Sequence, residues 1–233
     1  MNFTQISKEL QAVADPEKAK ILSGYFKTGK GEYGEGDIFI GIVVPKIRKV
    51  AHQFIDADFE TIQELLDSKI HEYRLTALEI LVAKYEKTKD EKLKEKIYKF
   101  YLKNTKSINN WDLVDLSASY IVGDYLLKRD RGILYKLVKS KNLWERRISI
   151  ISTHAFIKEG QYEDTFKICE ILLGDKHDLI YKATGWMLRE VGKRISRPIE
   201  MKFLDKHAKK MPRIMLSYAI EHFSNKEKDF YKK

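Results

Sequence analysis

The chain has 233 residues, 43% of them hydrophobic, with 44 Lys and Arg against 34 Asp and Glu for a formal net charge of +10. This is apolar surface enough for one large domain or two small ones and excludes intrinsic disorder. The 12 Gly and 4 Pro, about 7% of the chain where average usage gives roughly 12%, lack the turn punctuation of a many-stranded β fold, and the positive surplus points to a polyanionic partner, nucleic acid first. In chain order, Phe3, Ile6, Leu10 and Val13 recur on one helical face and predict the first helix. Asp15 as N-cap and Pro16 at the first helical position start a second, through Ile21, Leu22, Tyr25 and Phe26. Pro45 starts a third, with Ile47, Val50, Ala51 and Phe54 turned inward. Further helices are predicted at 58–67, 71–87, 91–103, 111–128, 130–139, 143–158, 161–173, 178–192, 198–209 and 212–223, some thirteen in all.

The interruption is GKGEYGEGDIFIG, residues 29–41, where five glycines erase any helical period. It is expected to be a loop, and the apolar run from Ile38 to Val44 an extended segment packed on helices rather than a strand with a partner. Neither G-x-G-x-x-G nor the Lys-Ser/Thr ending of a phosphate loop occurs there. Modest helices joined by short turns suit an α-solenoid of five or six two-helix units, and an irregular helical bundle fits the same pattern. No run of 18 apolar residues occurs, and the start MNFTQISKEL lacks the pattern of a signal peptide, so a soluble cytoplasmic protein, in the bacterial cytosol or nucleoid, with no membrane partner is expected.

Three stretches could carry chemistry. Trp111 and Asp115 lie four apart on one face of a helix that Asn110 can cap, while Leu113, Val114 and Leu116 supply its buried side. That places an indole beside a carboxylate at a boundary; the plain alternative is a solvated Asp115 and a packing Trp111. Arg146 and Arg147 fall near a helix start, against the helix dipole, where an anionic ligand would relieve them and so would an internal carboxylate such as Glu145. Lys182, Trp186 and Arg189 share a face at i, i+4 and i+7, a cation–aromatic–cation stripe suited to a nucleic-acid backbone, or a core tryptophan flanked by solvated charges. Further bases follow at Lys193, Arg194, Arg197, Lys209, Lys210 and Arg213. The six histidines are scattered, so no metal and no cofactor is expected. Cys169, in the apolar run from Phe166 to Leu173, is expected to be a buried helix residue, and no G-x-S-x-G elbow supports acyl transfer.

In this order, Gly41-Ile42-Val43-Val44-Pro45-Lys46-Ile47-Arg48, Glu72-Tyr73-Arg74-Leu75-Thr76-Ala77-Leu78, Asn110-Trp111-Asp112-Leu113-Val114-Asp115, Trp144-Glu145-Arg146-Arg147-Ile148, the block Lys182 to Glu190 and the block Met211 to Ala219 resemble the AlkD branch of the DNA alkylation repair glycosylases. The resemblance covers most of the chain and implies an all-α fold, a right-handed α-solenoid of about six HEAT-like helix pairs with a basic concave face, in a single domain over residues 1–233. It implies a monofunctional glycosylase that removes cationic N3- and N7-alkylated purines from double-stranded DNA, and a monomer is expected because a solenoid covers DNA alone. By the same resemblance Asp115 matches the catalytic aspartate, Trp111 and Trp186 the tryptophans flanking the lesion nucleotide, Arg147 the arginine at that site, and Tyr25 an aromatic near it. Arg48 resembles a backbone-contacting arginine, and Arg146, Lys182, Arg189, Arg194 and Arg213 are the further cations expected on DNA phosphates. The glycine-rich insertion at 29–41 departs from the family's best-known members.

The chemistry fits one carboxylate. A cationic purine leaves as a neutral base without a general acid, and Asp115 would stabilise the oxocarbenium character of the sugar. The family resemblance implies that the lesion stays stacked instead of being flipped into a pocket. Two other readings remain: a non-catalytic scaffold for bent or branched DNA, and a protein-binding solenoid whose association would ignore salt.

Overall fold

The computed structural model describes residues 1–232. The chain is all-α, and its helices gather into two compact units, residues 1–117 and 118–233. The first holds α1 (Phe3–Ala12), α2 (Pro16–Tyr25), α3 (Val44–Gln53), α4 (Phe59–Leu66), α5 (His71–Lys87), α6 (Glu91–Lys103) and α7 (Trp111–Asp115). The second holds a π turn at Ser119–Gly123, α8 (Asp124–Leu126), α9 (Gly132–Leu137), α10 (Leu143–Lys158), α11 (Glu163–Leu172), α12 (Asp178–Arg194), α13 (Arg197–His207), α14 (Arg213–Ala219) and α15 (Asn225–Lys232), with single 3-10 turns either side of α14.

Local chemistry starts these helices where the residues predict. Asn2 and Gln5 form a reciprocal capping box on α1, Asp15 accepts from the backbone of Glu17 and Lys18 ahead of Pro16, and Asp58, Asp90 and Asn142 cap α4, α6 and α10. Each unit is built around its most buried helices. In the first, all residues from His71 to Val82 of α5 are buried, packed by α3, α4, α6 and α7. Leu78, Ile80 and Leu81 are wholly buried there, each contributing about 1.5–3 kcal/mol of transfer free energy. In the second, α10 and α12 are the central pair, α10 packing on the π turn, α9 and α11, and α12 on α11, α13 and α14. Cys169 is fully buried on α11, as its apolar surroundings predict.

One expectation changes. The helix predicted over 111–128 is broken into α7, a π turn and α8. Its hydrophobic period runs on, but Ser117 Oγ donates back to the Leu113 carbonyl at 2.5 Å, and a side chain at Gly123 would lie 2.2 Å from the Ser152 carbonyl on α10. The widened turn sits where α10 approaches most closely. On α2, Ile21 and Tyr25 are 70% and 64% exposed, and only Phe26, just beyond the helix, is buried.

The glycine-rich stretch is an extended loop docked on α5. A single parallel bridge joins Ile38 to Ile70. Beyond it the buried Glu72 carboxylate accepts the backbone N–H groups of Ile40, Gly41 and Ile42 at 3.1, 2.8 and 3.2 Å. Gly41, at φ +84°, is obligatory, since a Cβ there would lie 1.9 Å from the Asp15 carbonyl.

Candidate functional site

In the first unit the chain from Asn110 to Asp115 forms one short helical turn. Asn110, wholly buried, caps it by accepting from the Trp111 backbone at 2.8 Å. Leu113 and Val114 point into the core, which leaves Trp111 and Asp115 half-buried on the remaining face, the arrangement that the i, i+4 spacing predicts. Trp111 stacks on Phe26 with ring centroids 5.2 Å apart and planes 13° from parallel, and Tyr25 meets it edge-on at 6.0 Å. On α6, burial pushes the Tyr101 phenol up and the Asp115 charge adds to that shift, against its hydrogen bond with Ser117. The first unit thus brings Tyr25, Trp111 and Asp115 into one neighbourhood. Arg48 stands apart from them on α3, its side chain 55% exposed and its Nε donating to Glu79 at 2.8 Å.

The second unit carries the other expected residues. Trp186 is half-buried on α12 and donates its indole N–H to Glu190 at 3.2 Å; the other oxygen of Glu190 accepts from Arg194 Nε at 2.6 Å. The ring of His154 lies 6.0 Å from the indole, and burial drives that imidazole down to about 4, so it is neutral at physiological pH. Arg147 is 5% exposed and donates to the Leu179 carbonyl. Arg146 takes the internal-carboxylate option, pairing with Asp175 at 2.6 Å and donating to the carbonyls of Ser140 and Lys141. Lys182 pairs with Asp178 one turn earlier, Arg189 pairs with Glu221, and Arg213 is exposed at the start of α14.

A sequence model of the DNA alkylation repair enzymes matches residues 6–223. The chain belongs to that family. Membership gives this repair enzyme a role in DNA alkylation repair, with DNA as its substrate. Its fold is similar to that of a solved structure, a predicted DNA alkylation repair enzyme from Enterococcus faecalis, with a TM-score of 0.70 over 91% of this chain and 97% of the other at 16% identity. No curated protein matches the sequence.

Two features of this family member escape a linear reading. The first is charge division: residues 1–117 carry 19 basic and 19 acidic side chains, residues 118–233 carry 25 and 15, so the whole surplus of +10 belongs to the second unit. The second is a polar network under Trp111, in which His71 lies between Asp37 and Asp112 while Arg74 and Asn110 also reach Asp37. These residues are 34 to 73 positions apart where they touch, so no local spacing announces them. Among the described residues no cluster of His, Cys, Asp and Glu is arranged to hold a metal ion, and no helix is long and apolar enough to cross a membrane.

Proposed function

We propose that this repair enzyme is a monofunctional DNA glycosylase that excises cationic N3- and N7-alkylated purines from duplex DNA, acting as a cytoplasmic monomer. The observation that carries the reading is Asp115, held half-buried one turn after Trp111 on a helix too short to bury both, within a chain of the alkylation repair family. Heterolysis of the C1′–N bond leaves the electron pair on the purine nitrogen and cancels its charge, so no acid is needed. The positive character passes to the sugar, where the Asp115 carboxylate stabilises it and orients the water that adds to C1′ and releases a proton. The indole face of Trp111 favours the same cationic sugar, by about 0.5–2 kcal/mol, and Phe26 and Tyr25 brace that indole. Access from the side of the sugar lets the lesion remain stacked.

Exposed Arg48, Arg194 and Arg213 would meet DNA phosphates, Arg48 and Arg194 by giving up Glu79 and Glu190 for them. Arg146, Lys182 and Arg189 would exchange an internal carboxylate for a phosphate. Trp186 and Arg147 enter the reading through the family motifs they match, as partners of the lesion nucleotide.

The test is release of N3-methyladenine from methylated duplex, followed by chromatography. Wild type should release the base, and Asp115→Asn should lower the rate by about 100-fold or more. Equal rates would remove Asp115 from catalysis. Tight binding of branched DNA with no release by wild type would favour the non-catalytic scaffold.

A further inference from the structure

Three elements of the first unit meet at one buried imidazole. His71 opens α5 and is 1% exposed. Its Nδ1 lies 3.2 Å from Asp37 in the glycine-rich loop, and its Nε2 lies 2.8 Å from Asp112 on α7. Carboxylates only accept, so both contacts are hydrogen bonds only when both ring nitrogens carry protons; a neutral ring would aim one lone pair at an oxygen anion. Burial works against that charge, but the Asp112 carboxylate, followed by the hydrogen bonds to Asp112 and Asp37, outweighs burial and the repulsion from Arg74 and lifts His71 to about 9. Asp37 from the loop, Asp112 from α7 and Arg74 from the next turn of α5 are the charged groups that face it.

The network closes on itself. Asp37 accepts from Arg74 at 2.6 Å and from Asn110 at 3.2 Å, and Asn110 caps α7. Phe39 stacks on the imidazole at 4.5 Å, Phe26 lies 5.1 Å from it, and Phe26 stacks in turn on Trp111. A five-residue helix has too few internal hydrogen bonds to hold its own course, so α7 takes its orientation from these contacts.

We propose that His71 is a positioning residue: by bridging Asp37 and Asp112 through its two ring nitrogens it fixes the short helix that presents Trp111 and Asp115. The effect on rate rests on the glycosylase reading; the effect on the helix does not.

The experiment combines nitrogen NMR of the wild-type imidazole with single-turnover base release from pH 6 to 10 for wild type, His71→Gln and Asp112→Asn. The expected spectrum shows both His71 nitrogens protonated at pH 7.5 and losing a proton near pH 9. Wild-type release should fall along the same curve. His71→Gln should be slower by about 100-fold at neutral pH, the scale of an ångström's misplacement, should lose the alkaline limb, and should bind unmodified duplex within about threefold of wild type. A His71 that titrates near 6.5, or a folded His71→Gln with the wild-type rate and pH profile, overturns the proposal. If His71→Gln does not fold, the wild-type titration and its coincidence with the rate decide. If wild type releases no base, the glycosylase reading fails separately, and the Trp111 indole N–H resonance decides: it should move as His71 deprotonates, and a constant resonance overturns the positioning role.

Discussion

At the scale of single residues, Glu72 shows why a buried charge can be structural. It is 1% exposed, and its oxygens receive three consecutive backbone N–H groups of the loop at Ile40, Gly41 and Ile42. Removing the carboxylate strands donors that cannot all reach water, each costing about 1–3 kcal/mol. Glu72→Ala should therefore lose on the order of 3 kcal/mol in urea unfolding; a loss within about 0.5 kcal/mol, the range of an ordinary surface change, would show that the loop is held by other contacts. Sequence reading placed residues 72–78 on a helix, but nothing in that block says that Glu72 turns toward a loop thirty residues earlier. Asp115 and Trp111 were legible because helical spacing alone puts them side by side. Arg146 was not, since its partner Asp175 lies in the turn before α12.

At the scale of elements, three long helices coincide with their predicted spans: α5, α6 and α10 match 71–87, 91–103 and 143–158 residue for residue, α6 and α10 behind the caps Asp90 and Asn142 and α5 with no side-chain cap. The 111–128 segment fails because its break rests on contacts that a hydrophobic period does not report, the Ser117 bond back to Leu113 and the approach of α10 at Gly123. The last helix, α15, buries Tyr231 alone, and six of its eight residues are charged or amide side chains, so little apolar sequence announces it. On α13, Glu200 is wholly buried, and the His222 ring comes within 3.2 Å without hydrogen-bond alignment. Burial raises this carboxyl to about 8, although Arg197 and Arg189 pull it the other way. The protonated acid is the form the fold prefers. Its contribution to stability is complete below the unfolded value of 4.5 and is lost as pH rises through 8. Glu200→Gln should flatten the stability curve between those limits in denaturant titrations, whereas an unchanged slope would mean that Glu200 ionises freely in the fold. His71 acts with the same sign at higher pH, its contribution present below the unfolded 6.5 and lost through about 9.

At the scale of the whole molecule, the charge read as +10 is not shared. The first unit is neutral and bears Asp115; the second bears the entire surplus. The sequence hides this division, because no Gly, Pro or Ser-rich linker marks residue 117. Phosphate contacts displace counterions, so affinity for duplex falls with salt in proportion to the number of phosphates neutralised. Replacing exposed Lys193, Lys209, Lys210 and Arg213 with Gln should weaken duplex binding and lower the salt slope by about one for each phosphate that is no longer neutralised. The same change at exposed Lys46, Lys49, Lys87 and Lys103 of the neutral unit should do less. Equal effects, measured by fluorescence anisotropy over a salt series, would show that binding does not favour the charged unit.

The most direct measurement is the single-turnover release of free N7-methylguanine from a defined duplex by wild type and by Asp115→Asn, with binding of the same duplex measured in parallel. Asp115→Asn is expected to bind as wild type does and to release base about 100-fold more slowly or worse. Release at the wild-type rate by the variant would contradict the role given to this carboxylate.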